Sequence, residues 1–86
     1  MIYNIYAAYD KKAQVYSEPI LLKNDEVAKR TFGNVVNSKD HMYATNTEDF
    51  SIAVIGTYNN ENAELIPGLR AICDMTELKQ EIAPNE

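Results

Sequence analysis

The clearest periodicity in the chain lies between two asparagines. In Asn24–Asn37, Ala28, Phe32, Val35 and Val36 recur at helical spacing and form an apolar stripe. Lys29, Arg30 and Asn34 fall mostly off it. Asn24 fits an N-cap, and Asp25 and Glu26 put negative charge in the first turn, where the helix dipole favours it. The pattern predicts one substantial amphipathic helix over about 24–37. Gly33 weakens that helix by roughly 1 kcal/mol relative to alanine. Its presence points to close packing there, or to fraying beyond it.

Elsewhere the period is two. Ile2–Tyr9 predicts a strand whose odd positions, Tyr3, Ile5, Ala7 and Tyr9, form the core face. Asp10-Lys11-Lys12 ends it as a charged turn. Ala13–Lys23 predicts a second strand or a pair of short ones, with Ile20, Leu21 and Leu22 buried. Pro19 lacks a donor, so it belongs at an edge, a bulge or a break. Residues 38–49 form a polar loop with room for one helical turn at Lys39–Ala44. Phe50–Tyr58 is the strongest strand, with Phe50, Ile52, Val54 and Tyr58 on one face and Ser51, Ala53, Ile55 and Thr57 on the other. Asn59–Asn62 predicts a turn of residues that tolerate positive φ. Ala63–Ile66 pairs back until Pro67-Gly68 ends it, and Arg70–Met75 forms a short last strand. Thr76 would cap a turn over Glu77–Ile82, leaving 83–86 as a frayed tail.

The order β-β-α-β-β predicts an α+β fold: an antiparallel sheet of about four strands, covered on one face by one main helix, as a two-layer sandwich. Residues 1–86 form one domain. A chain this short buries only about two-thirds of its surface and is marginal alone. The second sheet face, expected to carry Tyr6, Ala8, Ala53, Ile55 and Thr57, is not strongly polar. A partner subunit or a ligand would cover it, and a homo-oligomer is expected.

Charge divides the chain. The net charge is −5. Residues 1–40 carry six basic and five acidic side chains, whereas residues 41–86 carry two basic and eight acidic. This excludes a strongly basic nucleic-acid clamp and leaves room for a local basic face in the first half. Cys73 is the one cysteine, so no intramolecular disulfide is expected. The first ten residues lack the basic-then-apolar order of a signal peptide. No apolar run approaches the roughly 20 residues of a membrane span. A soluble cytoplasmic protein without membrane contact is expected.

Most site chemistry finds no constellation. His41 and Cys73 are the strong nitrogen and sulfur ligands and lie far apart, so no metal site is expected. They are also the residues an enzyme would have to use, and a nonenzymatic protein without cofactor is expected. Glu48-Asp49 suits a solvated turn before the third strand. Glycines 33, 56 and 68 make no phosphate-binding loop. What remains is aromatic and basic: Tyr3, Tyr6, Tyr9 and Tyr16 interleaved with Lys11, Lys12, Lys23, Lys29 and Arg30. Single-stranded nucleic acid is held by stacking on aromatics beside a basic groove. The structural alternative makes the tyrosines core and interface residues and the lysines a solvated turn.

Three stretches carry a resemblance: the strand running into Tyr9-Asp10-Lys11-Lys12-Ala13; Asn24-Asp25-Glu26-Val27-Ala28-Lys29-Arg30-Thr31-Phe32; and Glu48-Asp49-Phe50 leading to Ile55-Gly56-Thr57-Tyr58-Asn59. In order and spacing they resemble the small nonstructural protein of gokushovirus-type microviruses (Microviridae), tailless phages with circular single-stranded DNA. The resemblance covers about two-thirds of the chain and implies no catalytic residues. It implies a protein of the infected bacterium's cytoplasm, absent from the mature virion, often labelled DNA-binding and linked to viral DNA synthesis or packaging. If DNA is bound directly, Lys11, Lys12, Lys29 and Arg30 are the candidates for phosphates, and Tyr6 and Tyr16 for stacking. The rival is a protein-interaction module that docks onto a host or phage protein, such as a replication protein, through its acidic second half, Glu48–Glu81.

Overall fold

The computed structural model describes residues 1–79. Strand β1 (Ile2–Asp10) runs down the middle of the sheet. On one side it pairs with β2 (Val15–Tyr16) and β3 (Ile20–Leu22), which together make one broken edge strand. On the other it pairs with β4 (Phe50–Asn59), and β4 pairs with the far edge, β5 (Glu64–Asp74). All pairings are antiparallel. Helix α1 (Asp25–Val36) lies on one face. The fold is therefore α+β, with an antiparallel sheet and one main helix. Between α1 and β4, the short helix α2 (Met42–Thr45) and a 3-10 turn (Thr47–Asp49) occupy most of the expected loop. A second 3-10 turn (Met75–Leu78) follows β5. No described helix is long and apolar enough to cross a membrane.

The break in the edge strand has a local cause. Pro19 cannot donate to β1, and Ser17 fills the gap instead. Its amide donates to the Ala8 carbonyl at 2.7 Å, and its hydroxyl accepts from the Ala8 amide at 2.9 Å. Ile20 and Leu21, expected to be buried, are exposed on this edge, and Leu22 is half-buried. Strand β5 departs further from expectation. It runs unbroken through Pro67-Gly68, because an edge strand needs no outward donor and the register slips there by a bulge.

The helix ends as its sequence dictates. The Asn24 side chain accepts from the Val27 amide at 2.9 Å. Gly33 neither packs closely nor ends the helix: a Cβ there would have nothing within 4 Å, and α1 continues to Val36. Gly56 is the glycine with a packing role. A Cβ on it would sit 2.6 Å from the Ile66 carbonyl of β5. In the turn after β4 the left-handed residue is Ala63 (φ 61°) and not one of the asparagines. The last 3-10 turn is capped by Asp74, in a capping box with Glu77, and not by Thr76. The expected tail at 83–86 lies outside the described residues.

The core lies between α1 and one half of the sheet. Tyr6 and Ala8 of β1, Phe50, Ile52 and Val54 of β4, Ala28, Phe32 and Val36 of α1, and Met75 pack together. This corrects the expected facing of β1. Its even positions, not its odd ones, point at the helix. A register slip at Ile55 then sets Tyr58 beside Tyr3, on the opposite face from Val54. Beyond the helix N-terminus, β4 and β5 continue as an arm whose tip is tied to the chain start: the Met1 ammonium meets Glu61 at 2.9 Å and Asn60 at 3.0 Å.

Candidate nucleic-acid interface

Helix α1 is pinned at both ends, which fixes its exposed flank. At the N-terminal end, the buried Tyr6 donates its hydroxyl to Asp25 Oδ1 at 2.7 Å and accepts from Asn4 Nδ2 at 3.0 Å. Arg70 of β5 clasps the same carboxylate, with Nη1 at 3.0 Å from Oδ2 and Nη2 at 3.2 Å from Oδ1. The Arg70 guanidinium, and after it the Tyr6 hydroxyl, hold the Asp25 carboxyl below its ordinary value. Burial is the main reason the Tyr6 hydroxyl titrates above its own. At the other end, Lys79 Nζ donates to the carbonyls of Val36 at 3.2 Å and Ala44 at 3.0 Å. That joins the C-termini of α1 and α2, where a cation suits the helix dipole.

Between these pins runs a shallow groove of about 620 Å³. Glu26, Lys29, Arg30, Gly33 and Asn34 of α1 form one wall, and Glu77–Lys79 the other. Lys29 and Arg30 are exposed, and among the described residues neither forms an ion pair. Because Gly33 has no side chain, a ligand can approach the helix backbone between the two cations and Asn34. Its lining also carries the carboxylates of Glu26 and Glu77.

The structure does not bring the other candidates to this groove. Lys11 and Lys12 sit on the turn after β1, whose amides at Lys12 and Ala13 donate to Asp10 Oδ1, each at 3.0 Å. Lys11 Nζ is held by Asp74 at 3.0 Å and by the Glu48 carbonyl at 3.3 Å. Lys12 is exposed. Tyr16 lies against Tyr9, ring centroids 4.7 Å apart, on the sheet face away from α1. Tyr6 corrects the sequence reading. It is 0% exposed, beneath α1 and not on the outer face, so no base can stack on its ring.

The remaining chemistry-bearing residues have structural partners. His41 caps α2, its Nδ1 accepting from the Tyr43 amide at 3.0 Å, and its ring lies against Tyr43. Cys73 is half-buried beside Ile52, and burial pushes its thiol up. No group of three His, Cys, Asp or Glu converges among the described residues. The acidic second half is divided as well. Glu61 and Glu64 lie at the arm tip, and Glu48, Asp49 and Asp74 lie at the opposite end of β4, roughly 30 Å away for a strand of its length. What the sequence missed is the Asp25–Arg70 clasp. Its only sequence signal is a lone arginine in an acidic half.

The sequence profile described as Phage ORF5 protein matches residues 3–78. The chain belongs to this phage protein family. The match runs from the second residue of β1 to the end of the last 3-10 turn, so it spans nearly all described elements of the fold. No curated protein and no solved structure matches this phage protein at a significant level.

Proposed function

We propose that this phage protein is a nonenzymatic accessory protein acting in viral single-stranded DNA synthesis or packaging, and that it binds the strand directly along the α1 groove. The observation that carries the reading is the exposed Lys29–Arg30 pair, free of ion-pair partners among the described residues, beside a glycine that leaves the helix backbone open. Each element answers a need of phosphate binding: two point charges, amide donors from Asn34, and room for close approach. With Tyr6 buried and Tyr16 on the other face, no aromatic platform lines this groove. Contact is therefore phosphate-led and indifferent to base sequence. Lys11 is committed to Asp74, so it contributes little.

The resemblance to gokushovirus-type proteins supports a place in the cytoplasm of the infected bacterium, outside the mature virion. The rival, docking onto a host or phage replication protein through the acidic half, is less favoured. The carboxylates are split between the two ends of β4, and several are already bonded within the chain.

Fluorescence anisotropy with a labelled single-stranded oligonucleotide tests the proposal. Binding is expected at low salt, and the double variant Lys29→Ala/Arg30→Ala should weaken it by about tenfold or more. Lys11→Ala/Lys12→Ala should change it by no more than about threefold. Absence of binding at low salt, or the reverse ranking of the two double variants, would overturn it.

A further inference from the structure

Helix α1 covers one face of the sheet, and among the described residues no helix packs on the opposite face. There the register sets Tyr9 beside Tyr16, Ile5 beside Leu21, and Tyr3 beside Tyr58, which in turn lies beside Leu65. Small residues fill the row between, Ala7 beside Ala53 and Ala53 beside Ala71, and Ala7 and Ala53 are buried beneath the larger side chains around them. Charge enters these rows at one place, where the Tyr16–Tyr9–Ser51 row ends on Asp74. Asp74 stands at the β5 rim and is paired with Lys11 at 3.0 Å. Leu21 and Tyr16 are each 46% exposed, and Leu65 is 65% exposed. An antiparallel sheet can leave one face in water when that face is polar, and this one is not.

A phosphate polymer is a poor occupant, since the cation at the rim of this face, Lys11, is already paired with Asp74. The broken edge contributes 2 and 3 residues and β1, β4 and β5 contribute 9, 10 and 11; at a rise of roughly 3.4 Å and a strand spacing of about 4.8 Å they give a face of roughly 600 Å². That approaches the ~800 Å² each partner buries in a standard interface. Tyrosine enrichment, with charge confined to the rim, is the composition of an interface core. A face whose one charged position is already ion-paired also meets its own copy without stranding an unpaired ion.

We infer that two copies of the chain pack these faces together about a two-fold axis, giving a four-layer helix–sheet–sheet–helix dimer. Sheets packed this way stand about 10 Å apart. Both copies of α1 then lie on the outside, and one dimer presents two Lys29–Arg30 grooves on opposite surfaces. The inference does not depend on what those grooves bind.

Sedimentation equilibrium tests it on the full chain. The wild type should run at twice the chain mass of 9.7 kDa. Leu21→Glu and Leu65→Glu alter exposed side chains, so far-UV circular dichroism should be unchanged. Each places two charges in the dimer interface and should weaken dimerisation by at least about 100-fold. Leu69→Glu, in the bulged part of the β5 edge, should leave the mass unchanged. A folded wild type that stays monomeric at about 100 µM would overturn the inference. So would a dimer indifferent to both face variants, or one broken by Leu69→Glu alone, which would place the contact on the strand edge.

Discussion

Replacing Tyr6 by phenylalanine isolates the bond network that seats α1 on the sheet. The ring is fully buried and stays in place, so no cavity opens. Two hydrogen bonds are lost: the donation to the charged Asp25 at 2.7 Å and the acceptance from Asn4 at 3.0 Å. A bond to a charged group contributes about 1.5–3 kcal/mol, and a neutral one about 0.5–1.5. Asp25 is about one-third exposed and keeps Arg70, so water replaces part of what the hydroxyl supplied. The expected net loss is about 2 kcal/mol. In a chain of this size that lowers Tm by roughly 8–16 °C. With a urea slope of about 1 kcal/mol per molar, it shifts the unfolding midpoint by about 2 M. Far-UV circular dichroism during urea and thermal unfolding measures both. A loss below about 0.5 kcal/mol would refute the reasoning, because it would mean that water satisfies these groups as well as the protein does. A loss above about 4 kcal/mol would also refute it, since that scale belongs to core disruption. Oligonucleotide binding should be untouched, because Tyr6 reaches no surface.

Gly33 and Gly56 should respond in opposite directions. Gly33→Ala meets open space and should stabilise the chain by about 1 kcal/mol in urea unfolding, while Gly56→Ala drives a methyl into the Ile66 carbonyl and should destabilise it by about 1–3 kcal/mol. The pH dependence follows from Asp25, whose folded-state value is depressed from 3.8. As pH falls the unfolded chain takes up the proton first, so the clasp's stability is fully present above the unfolded value and lost as pH drops through the folded one. Urea midpoints measured from roughly pH 6 down to pH 2.5 should fall, and Asp25→Asn should flatten that fall.

The helix was legible because three independent signals agreed: an asparagine cap, acidic residues in the first turn, and an apolar stripe at helical spacing. Strand β4 was legible because its alternation is strong. The facing of β1 was not legible, because both its parities are apolar. Tyr3, Ile5, Ala7 and Tyr9 compete with Ile2, Tyr6 and Ala8, so a period of two marks a strand without choosing its face. The choice is made by long-range contact, the Tyr6 hydroxyl reaching Asp25 on the helix. Strand β5 was split in the sequence reading because Pro67-Gly68 is a strong local breaker, yet an edge position and a bulge accommodate it. The same division holds for the candidate site. Lys29 and Arg30 were legible as helix residues off the apolar stripe. The removal of Lys11 from the set was not, since its partner Asp74 comes from the far end of the chain.

The most direct test of the account is the salt dependence of single-stranded DNA binding by the wild-type protein. Two phosphate contacts per chain, from Lys29 and Arg30, predict a slope of log K against log salt of about −1.4. The Lys29→Ala/Arg30→Ala variant should bring that slope close to zero. A wild-type slope of zero, no detectable binding at low salt, or an unchanged slope in the variant would contradict a phosphate-binding groove on α1.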